Sequence, residues 1–235
     1  MKEPKGTKGQ AQGPQKRREA VRVKTAKKRS NSSTKWLKRQ LNDPYVAAAK
    51  EQGYRSRAAF KIIELDEQFH IIKPGMRAVD LGAAPGGWSQ IVARKIGKNG
   101  KLVSLDILPM EPIEGADILH MDFLSDDAPD VLKAKLGGQA NLVLSDMAPS
   151  TIGHTATDHL RIMALAENAA HFAMEVLAPD GAFVCKLFQG GAEKELLTTL
   201  KQNFTKVRHA KPPSSRSDSA EMFLVALGFR GKLTT

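Results

Sequence analysis

"VDLGAAPGGWSQ", residues 79–90, decides how the rest of this chain is read. It passes from an apolar strand end into a glycine-rich turn and then into the start of a helix. Units of this kind build doubly wound sheets, in which ligands lie beyond the carboxyl ends of the strands. The glycines let backbone come close to a ligand. Their spacing, Gly82-Ala-Ala-Pro-Gly86-Gly87, is not the GxGxxG of dinucleotide-binding turns. Asp80, just before the turn, sits awkwardly beside a pyrophosphate. A nicotinamide-dependent oxidoreductase is therefore disfavoured, and a ligand with a cationic or neutral end fits better.

Outward from this stretch, strands and helices alternate. "MRAVDLG" is a strand and Gly86 to Ile96 a helix. "GKLVSLDI" and the shorter "ADILHMDF" are further strands, followed by a helix over 127–136. "ANLVLSDMA" is a fourth strand, 157–177 a long helix, "GAFVCKLF" a fifth strand and 191–203 another helix. "KVRHAKP" and "EMFLVALGF" close the pattern. This alternation predicts an α/β fold, a parallel or mostly parallel sheet with helices on both faces. Ahead of it, Asp43 and Pro44 are the cap and first residue of a helix. A second helix is expected from about Ser56, with Ala58, Ile62, Leu65 and Phe69 on one stripe and Lys61 beside it. Local pattern alone makes Lys61 a surface lysine.

Three aspartates follow strands. Asp106 ends the second strand, 24 residues after Gly82, where an acid accepts from ribose hydroxyls. Asp122, read as ending the third strand, is placed to accept from an adenine amine. Asp146 ends the fourth and faces the same crevice. Together they outline a nucleoside pocket without a phosphate cradle, for which S-adenosylmethionine is the candidate. Lys186, near the end of the fifth strand, flanks Asp146. Lysine is rarely buried unless something pairs with it. An acidic neighbour favours the ammonium form of a lysine, whereas burial and a second lysine favour the free amine. That balance suits a general base.

The chain has 235 residues, 41% hydrophobic, enough for one domain and an appendage. Net charge is +11, but residues 1–33 hold 11 Lys/Arg against 2 Glu, leaving 25 basic and 23 acidic residues elsewhere. The excess charge belongs to a tail, 1–33, expected to be disordered. It is either a solubilising segment or an arm that gains affinity from phosphate contacts. The folded domain is expected over 34–235. No run reaches the roughly 18 apolar residues of a membrane span, and the start lacks the apolar stretch of a signal peptide. One cysteine, Cys185, excludes an internal disulfide. A cytoplasmic protein is expected. The six histidines show no metal-ligand spacing, and no metal is expected.

The motifs resemble the FtsJ/RrmJ-type ribosomal RNA 2′-O-ribose methyltransferases. The resemblance rests on "WLKRQLNDPYV", "GYRSRAAFKIIELDEQF", "VDLGAAPGGWSQ", "LVLSDMAPS", "VCKLFQG" and "SSRSDSAEMFLVA", spread from about Lys35 to Gly228. It implies a Rossmann-like, S-adenosylmethionine-dependent methyltransferase fold with a seven-stranded, mostly parallel sheet. It also implies a catalytic Lys-Asp-Lys-Glu set, here Lys61, Asp146, Lys186 and Glu221. Cofactor-binding positions fall on Gly86, Trp88, Asp106, Asp122 and Asp146. The implied reaction is methylation of a uridine 2′-oxygen in 23S ribosomal RNA, on the large ribosomal subunit, by a monomer. Related enzymes act on transfer RNA or messenger RNA caps, and a non-catalytic ribosome-assembly factor is the rival from another class. Lys35, Lys38, Arg39, Arg55 and Arg57 are expected to follow phosphates. Trp36 and Tyr45 either stack on a base or pack internally.

Overall fold

The structure, a computed structural model, describes residues 30–149, 155–188 and 193–231, together with Val21, Arg22 and Thr25. The expected basic tail lies almost wholly outside the described residues. The chain enters through two helices, α1 (Asn31–Asn42) and α2 (Pro44–Glu51), joined at Asp43. Ser30 caps α1, its Oγ accepting from the Ser33 amide at 3.2 Å. Asp43 caps α2 as expected, its Oδ1 accepting from the Tyr45 amide at 3.0 Å, with Pro44 at the first helical position. The sequence reading did not anticipate α1, whose start precedes the expected domain boundary.

The next helix, α3 (Ala58–Phe69), starts two residues later than expected and stops at His70, which takes a left-handed conformation. Then come β1 (Arg77–Leu81), α4 (Gly87–Ile96), β2 (Lys101–Asp106), β3 (Ala116–His120), α5 (Ala128–Leu136) and β4 (Ala140–Ser145). α6 (Thr155–Val176), β5 (Leu177–Phe188), α7 (Lys194–Asn203), β6 (Phe204–Ala210) and β7 (Glu221–Phe229) complete the chain. β3 stops at His120, so Asp122 does not end the strand but lies in the turn beyond it. There its Oδ1 accepts from the Leu124 amide at 2.9 Å.

The seven strands form one sheet in the order β3-β2-β1-β4-β5-β7-β6. Every pairing from β3 to β5 is parallel; β7 is antiparallel to both β5 and β6. This is the expected mostly parallel seven-stranded sheet. Strand order reverses between β1 and β4, which opens a crevice at their carboxyl ends.

Alternation along the strands sends side chains to two cores. Val79, Leu81, Val143, Phe183 and Cys185 pack against α5, α6 and α7. Leu102, Leu142, Leu144, Val184 and Phe223 pack against α3 and α4. Ile62 and Leu65 of α3 are completely enclosed there, and each such burial contributes about 1.5–3 kcal/mol. By the same alternation Asp80, Ser104, Lys186 and Glu221 fall on the α3–α4 side. A lysine on β5 is thus brought toward a lysine on α3. Cys185 points the other way, and burial pushes its thiol up to about 12, an inert core residue.

Candidate active site

A cavity of about 630 Å³ opens at the carboxyl ends of β1, β2 and β4. Gly82, Asp106, Asp122 and Asp146 line it, with Leu108 and Phe123 among its apolar walls. Gly82 has φ 74, and a Cβ there would fall 2.7 Å from the Met147 Cα. The turn after β1 and the chain after β4 therefore meet backbone to backbone, which only glycine permits. Asp106 ties the glycine-rich turn to the chain after β2: its Oδ2 accepts from the Ala84 amide and its Oδ1 from the Leu108 amide, both at 2.8 Å.

Asp80 lies beneath the turn and is fully buried. Its Oδ2 accepts from Ser89 Oγ at 2.6 Å, and Ser104 Oγ lies 2.9 Å from Ser89 Oγ. Its Oδ1 has no partner among the described residues. Burial pushes this carboxyl up to about 7, helped by the nearby Asp146 and Asp106 charges and opposed by the Ser89 hydrogen bond.

Two of the expected cofactor residues stand apart from this cavity lining. Trp88 is buried, its indole N–H donating to the Ala58 carbonyl at 2.9 Å and its ring 5.6 Å from that of Phe223. Gly86 has φ 100 and is covered from outside by Arg55 and Ile113.

At the other end of the crevice, Lys186 is only 9% exposed. Its Nζ donates to the Asp146 carbonyl at 2.5 Å and stands 2.9 Å from Asp146 Oδ1. The second contact has ion-pair distance but not hydrogen-bond alignment, so Oδ1 is buried without an aligned donor. Lys61 pairs with Glu221, Nζ to Oε2 at 2.7 Å, and lies 5.6 Å from the centre of the Phe223 ring. Phe223 is the register partner of Lys186 across β5 and β7. The four expected catalytic residues thus form two ion pairs, with Lys186 and Glu221 on the same face of the β5–β7 strand pair.

Sequence reasoning missed what holds these pairs. Glu221 Oε1 accepts from Ser215 Oγ at 3.0 Å. Neighbouring Ser214 is held by Glu64, whose Oε2 accepts from its amide at 2.8 Å and its hydroxyl at 2.6 Å. Asp43 Oδ2 binds Arg57 Nη1 at 2.6 Å and Arg216 Nη2 at 3.0 Å. Arg57 also donates to the Ser214 carbonyl and covers the Tyr45 ring. Burial lowers the Arg57 pKa and the Asp43 charge raises it again.

Arg55 and Arg57, expected to follow phosphates, are both engaged within the chain: the Arg57 guanidinium is part-buried against Asp43, and that of Arg55, at the surface, donates to three backbone carbonyls. Lys35, Lys38 and Arg39 of α1 remain exposed. Tyr45 packs edge-on against Phe60, 5.3 Å between ring centres; the Trp36 side chain lies outside the described residues. Among the described residues no group of His, Cys, Asp and Glu could hold a metal ion, and no helix is long and apolar enough to cross a membrane.

A sheet of this order, with an acid-lined cavity at the reversal and one antiparallel strand beside it, defines a Rossmann-like methyltransferase. A family model described as FtsJ-like methyltransferase matches residues 54–229, and the chain belongs to that family. It is 64% identical over 216 residues to a protein of Paramagnetospirillum magneticum named Ribosomal RNA large subunit methyltransferase E, covering 90% of this chain and 88% of the relative. A relative of the same name from Azorhizobium caulinodans is 61% identical over 214 residues, 90% of this chain and 89% of its own. A crystal structure described as a ribosomal RNA methyltransferase of Plasmodium falciparum superposes with a TM-score of 0.68 at 30% identity, covering 76% of this chain and all of that one.

Proposed function

We propose that this protein transfers a methyl group from S-adenosylmethionine to the 2′-oxygen of a uridine in 23S ribosomal RNA, on the assembled large ribosomal subunit. The relatives' names support the RNA class. The residue chemistry supports the ribose oxygen: a secondary hydroxyl is a weak acid, and an amine beside a carboxylate is the group that manages its proton.

The cavity fits the cofactor. Its volume of about 630 Å³ suits a nucleoside-sized ligand. It gathers three carboxylates, Asp106, Asp122 and Asp146, toward a ligand that carries cationic groups. Asp146 Oδ1 is a buried acceptor lacking an aligned donor. Asp106 would hold the ribose hydroxyls, Asp122 the adenine amine, and Asp146 the cationic end. Bound there, S-adenosylmethionine supplies an electrophilic methyl group on a positively charged sulfur.

The chain's own part is alignment and proton handling. Lys186, seated on the Asp146 carbonyl, holds its Nζ beside Asp146, a residue of the cavity lining. As a free amine it takes the proton of the 2′-hydroxyl; as an ammonium it fixes the direction of the oxygen's lone pair. Asp146 holds Lys186 in place, and Glu221 holds Lys61. Holding a nucleophile in line with its target contributes much of the rate for such a transfer. Exposed Lys35, Lys38 and Arg39 on α1 are suited to phosphates.

The observation that carries this reading is Lys186, nearly buried and paired with Asp146, which itself lines an acid-lined cavity that lacks a phosphate cradle. The test is transfer of labelled methyl from S-adenosylmethionine to large subunits from cells lacking this gene. Label is expected on a 2′-oxygen with the wild type and about a thousandfold less with Lys186→Ala. Transfer only to transfer RNA would replace the substrate. No transfer to subunits, free RNA or transfer RNA would leave an assembly factor as the reading.

A further inference from the structure

Arg55 occupies the connection between α2 and α3, outside the cavity wall. Its backbone amide donates to Gln90 Oε1 of α4 at 3.0 Å, and Gln90 Nε2 donates to the Gly53 carbonyl at 2.9 Å. The connection is thereby fixed against α4. From there the guanidinium spans two segments. Nη1 reaches the Pro85 carbonyl of the glycine-rich turn at 3.4 Å and the Glu111 carbonyl at 2.7 Å. Nη2 reaches the Pro112 carbonyl at 2.5 Å. The side-chain stem closes over Gly86: a Cβ at that position would fall 3.0 Å from Arg55 Cδ.

We infer that Arg55 is a positioning residue of the cofactor pocket: it clamps the glycine-rich turn to the β2–β3 connection and so sets the distance between two walls of the cavity. This rests on the proposal that the cavity takes S-adenosylmethionine. The two segments it joins supply lining on both sides, Gly82 and Ala84 from the turn and Ile107 and Leu108 from the connection. Asp106 joins the same segments on the crevice side through two amides. Arg55 does so on the outer side through three carbonyls. An acid takes the donors and a base takes the acceptors, so neither replaces the other. Three of the five guanidinium N–H groups are committed to backbone. A planar fork can address several carbonyls at once, which a single ammonium cannot. Walls held at the bound spacing before the ligand arrives raise affinity by lowering the ordering cost of binding.

The test separates this role from a phosphate contact. Calorimetry with S-adenosylmethionine is run on the full chain, wild type, Arg55→Lys and Arg55→Gln, alongside RNA binding over a salt series. Both variants are expected to lose about tenfold in S-adenosylmethionine affinity. The salt slope for RNA should stay at its wild-type value. Amides over 107–113 should exchange hydrogen faster in Arg55→Lys without ligand. Unchanged S-adenosylmethionine affinity in both variants overturns the inference. A salt slope reduced by about one in Arg55→Gln with cofactor affinity intact assigns the residue to RNA instead. If Arg55→Gln does not fold, Gln90→Ala releases the same connection without touching a charge; an affinity loss of about threefold is expected, and none overturns the clamp. A wild type that binds no S-adenosylmethionine removes the functional reading, and this inference with it.

Discussion

The two ends of the crevice are built differently. On the β1–β2 side, single carboxylates meet backbone amides: Asp106 takes Ala84 and Leu108, and Asp122 takes Leu124. On the β5–β7 side, charges meet charges: Lys186 with Asp146, Lys61 with Glu221, and Asp43 with two arginines. The first arrangement leaves net negative charge and unused acceptor capacity, as a site for a cationic ligand needs. The second leaves little net charge but fixes several long side chains. Under the proposed function binding falls mainly to the first end and proton handling to the second, with Asp146 belonging to both.

The contrast is tested most severely by Lys186→Ala. Methyl transfer should fall by about three orders of magnitude, while S-adenosylmethionine affinity measured by calorimetry stays within about threefold of wild type. Equal losses in both would merge the two ends into one unit. Asp106→Asn strikes the other end. Cofactor affinity should drop about thirtyfold, because one carboxylate oxygen is replaced by an amide NH2, a donor facing a backbone N–H, with little change in RNA affinity. Glu221→Gln keeps shape and removes the partner of Lys61. We expect kcat to fall about tenfold at unchanged KM for S-adenosylmethionine, and unfolding free energy by about 2 kcal/mol from denaturant titration.

A last effect, on stability rather than on transfer or binding, concerns Asp80, which belongs to neither end. Its folded-state pKa, about 7, is above its unfolded value of 3.8. Between those pH values the folded chain binds more protons than the unfolded one, so this group's contribution to stability falls as pH rises. The loss begins above the unfolded value and is complete once pH passes the folded one. Asp80→Asn lacks that slope. Its stability relative to wild type should shift in its favour by on the order of a few kcal/mol between pH 4 and pH 8. Parallel stability–pH curves would show that Asp80 ionises as freely folded as unfolded.

The two ends also differed in how much of them the sequence displayed. An aspartate at a strand's carboxyl end is a local pattern; Asp106 ends β2 as that pattern put it, and Asp146 follows directly on Ser145, the last residue of β4. β7 spans the residues read for it, 221–229, and Asp43 with Pro44 starts α2 as expected. The ion pairs were not legible in this way. Lys61 and Glu221 are 160 residues apart. Local pattern made Lys61 a surface lysine, and Glu221 entered only through resemblance. Arg55 and Arg57 read as phosphate contacts because charge is visible in a sequence and its internal partners are not. α1 was missed for another reason: "NSSTKWLKRQLN" has only Trp36, Leu37 and Leu41 as apolar residues, too few to read as a core-facing stripe, and its start shows only in the Ser30 cap. Asp122 fell beyond β3 because strand ends are set by the neighbouring strand, here β2, rather than by the chain's own residues.

β7 runs against its neighbours, and this has a consequence for how such a protein can change over time. In a parallel sheet, loops leaving the strands touch the ligand and loops entering them lie at the far end. The reversed strand gives the crevice a chain arriving as well, the 211–220 hairpin that carries Ser214, Ser215 and Arg216 to Glu221. That hairpin lies on the β5–β7 side, next to Glu221 and its partner Lys61, rather than on the β1–β2 side with Asp106 and the glycine-rich turn. Lineages could lengthen or rewrite it to suit a different RNA surface while the methyl-donor pocket is inherited untouched. By that one inversion the two sides of the crevice, to which the proposed function assigns substrate choice and cofactor use, become separately evolvable.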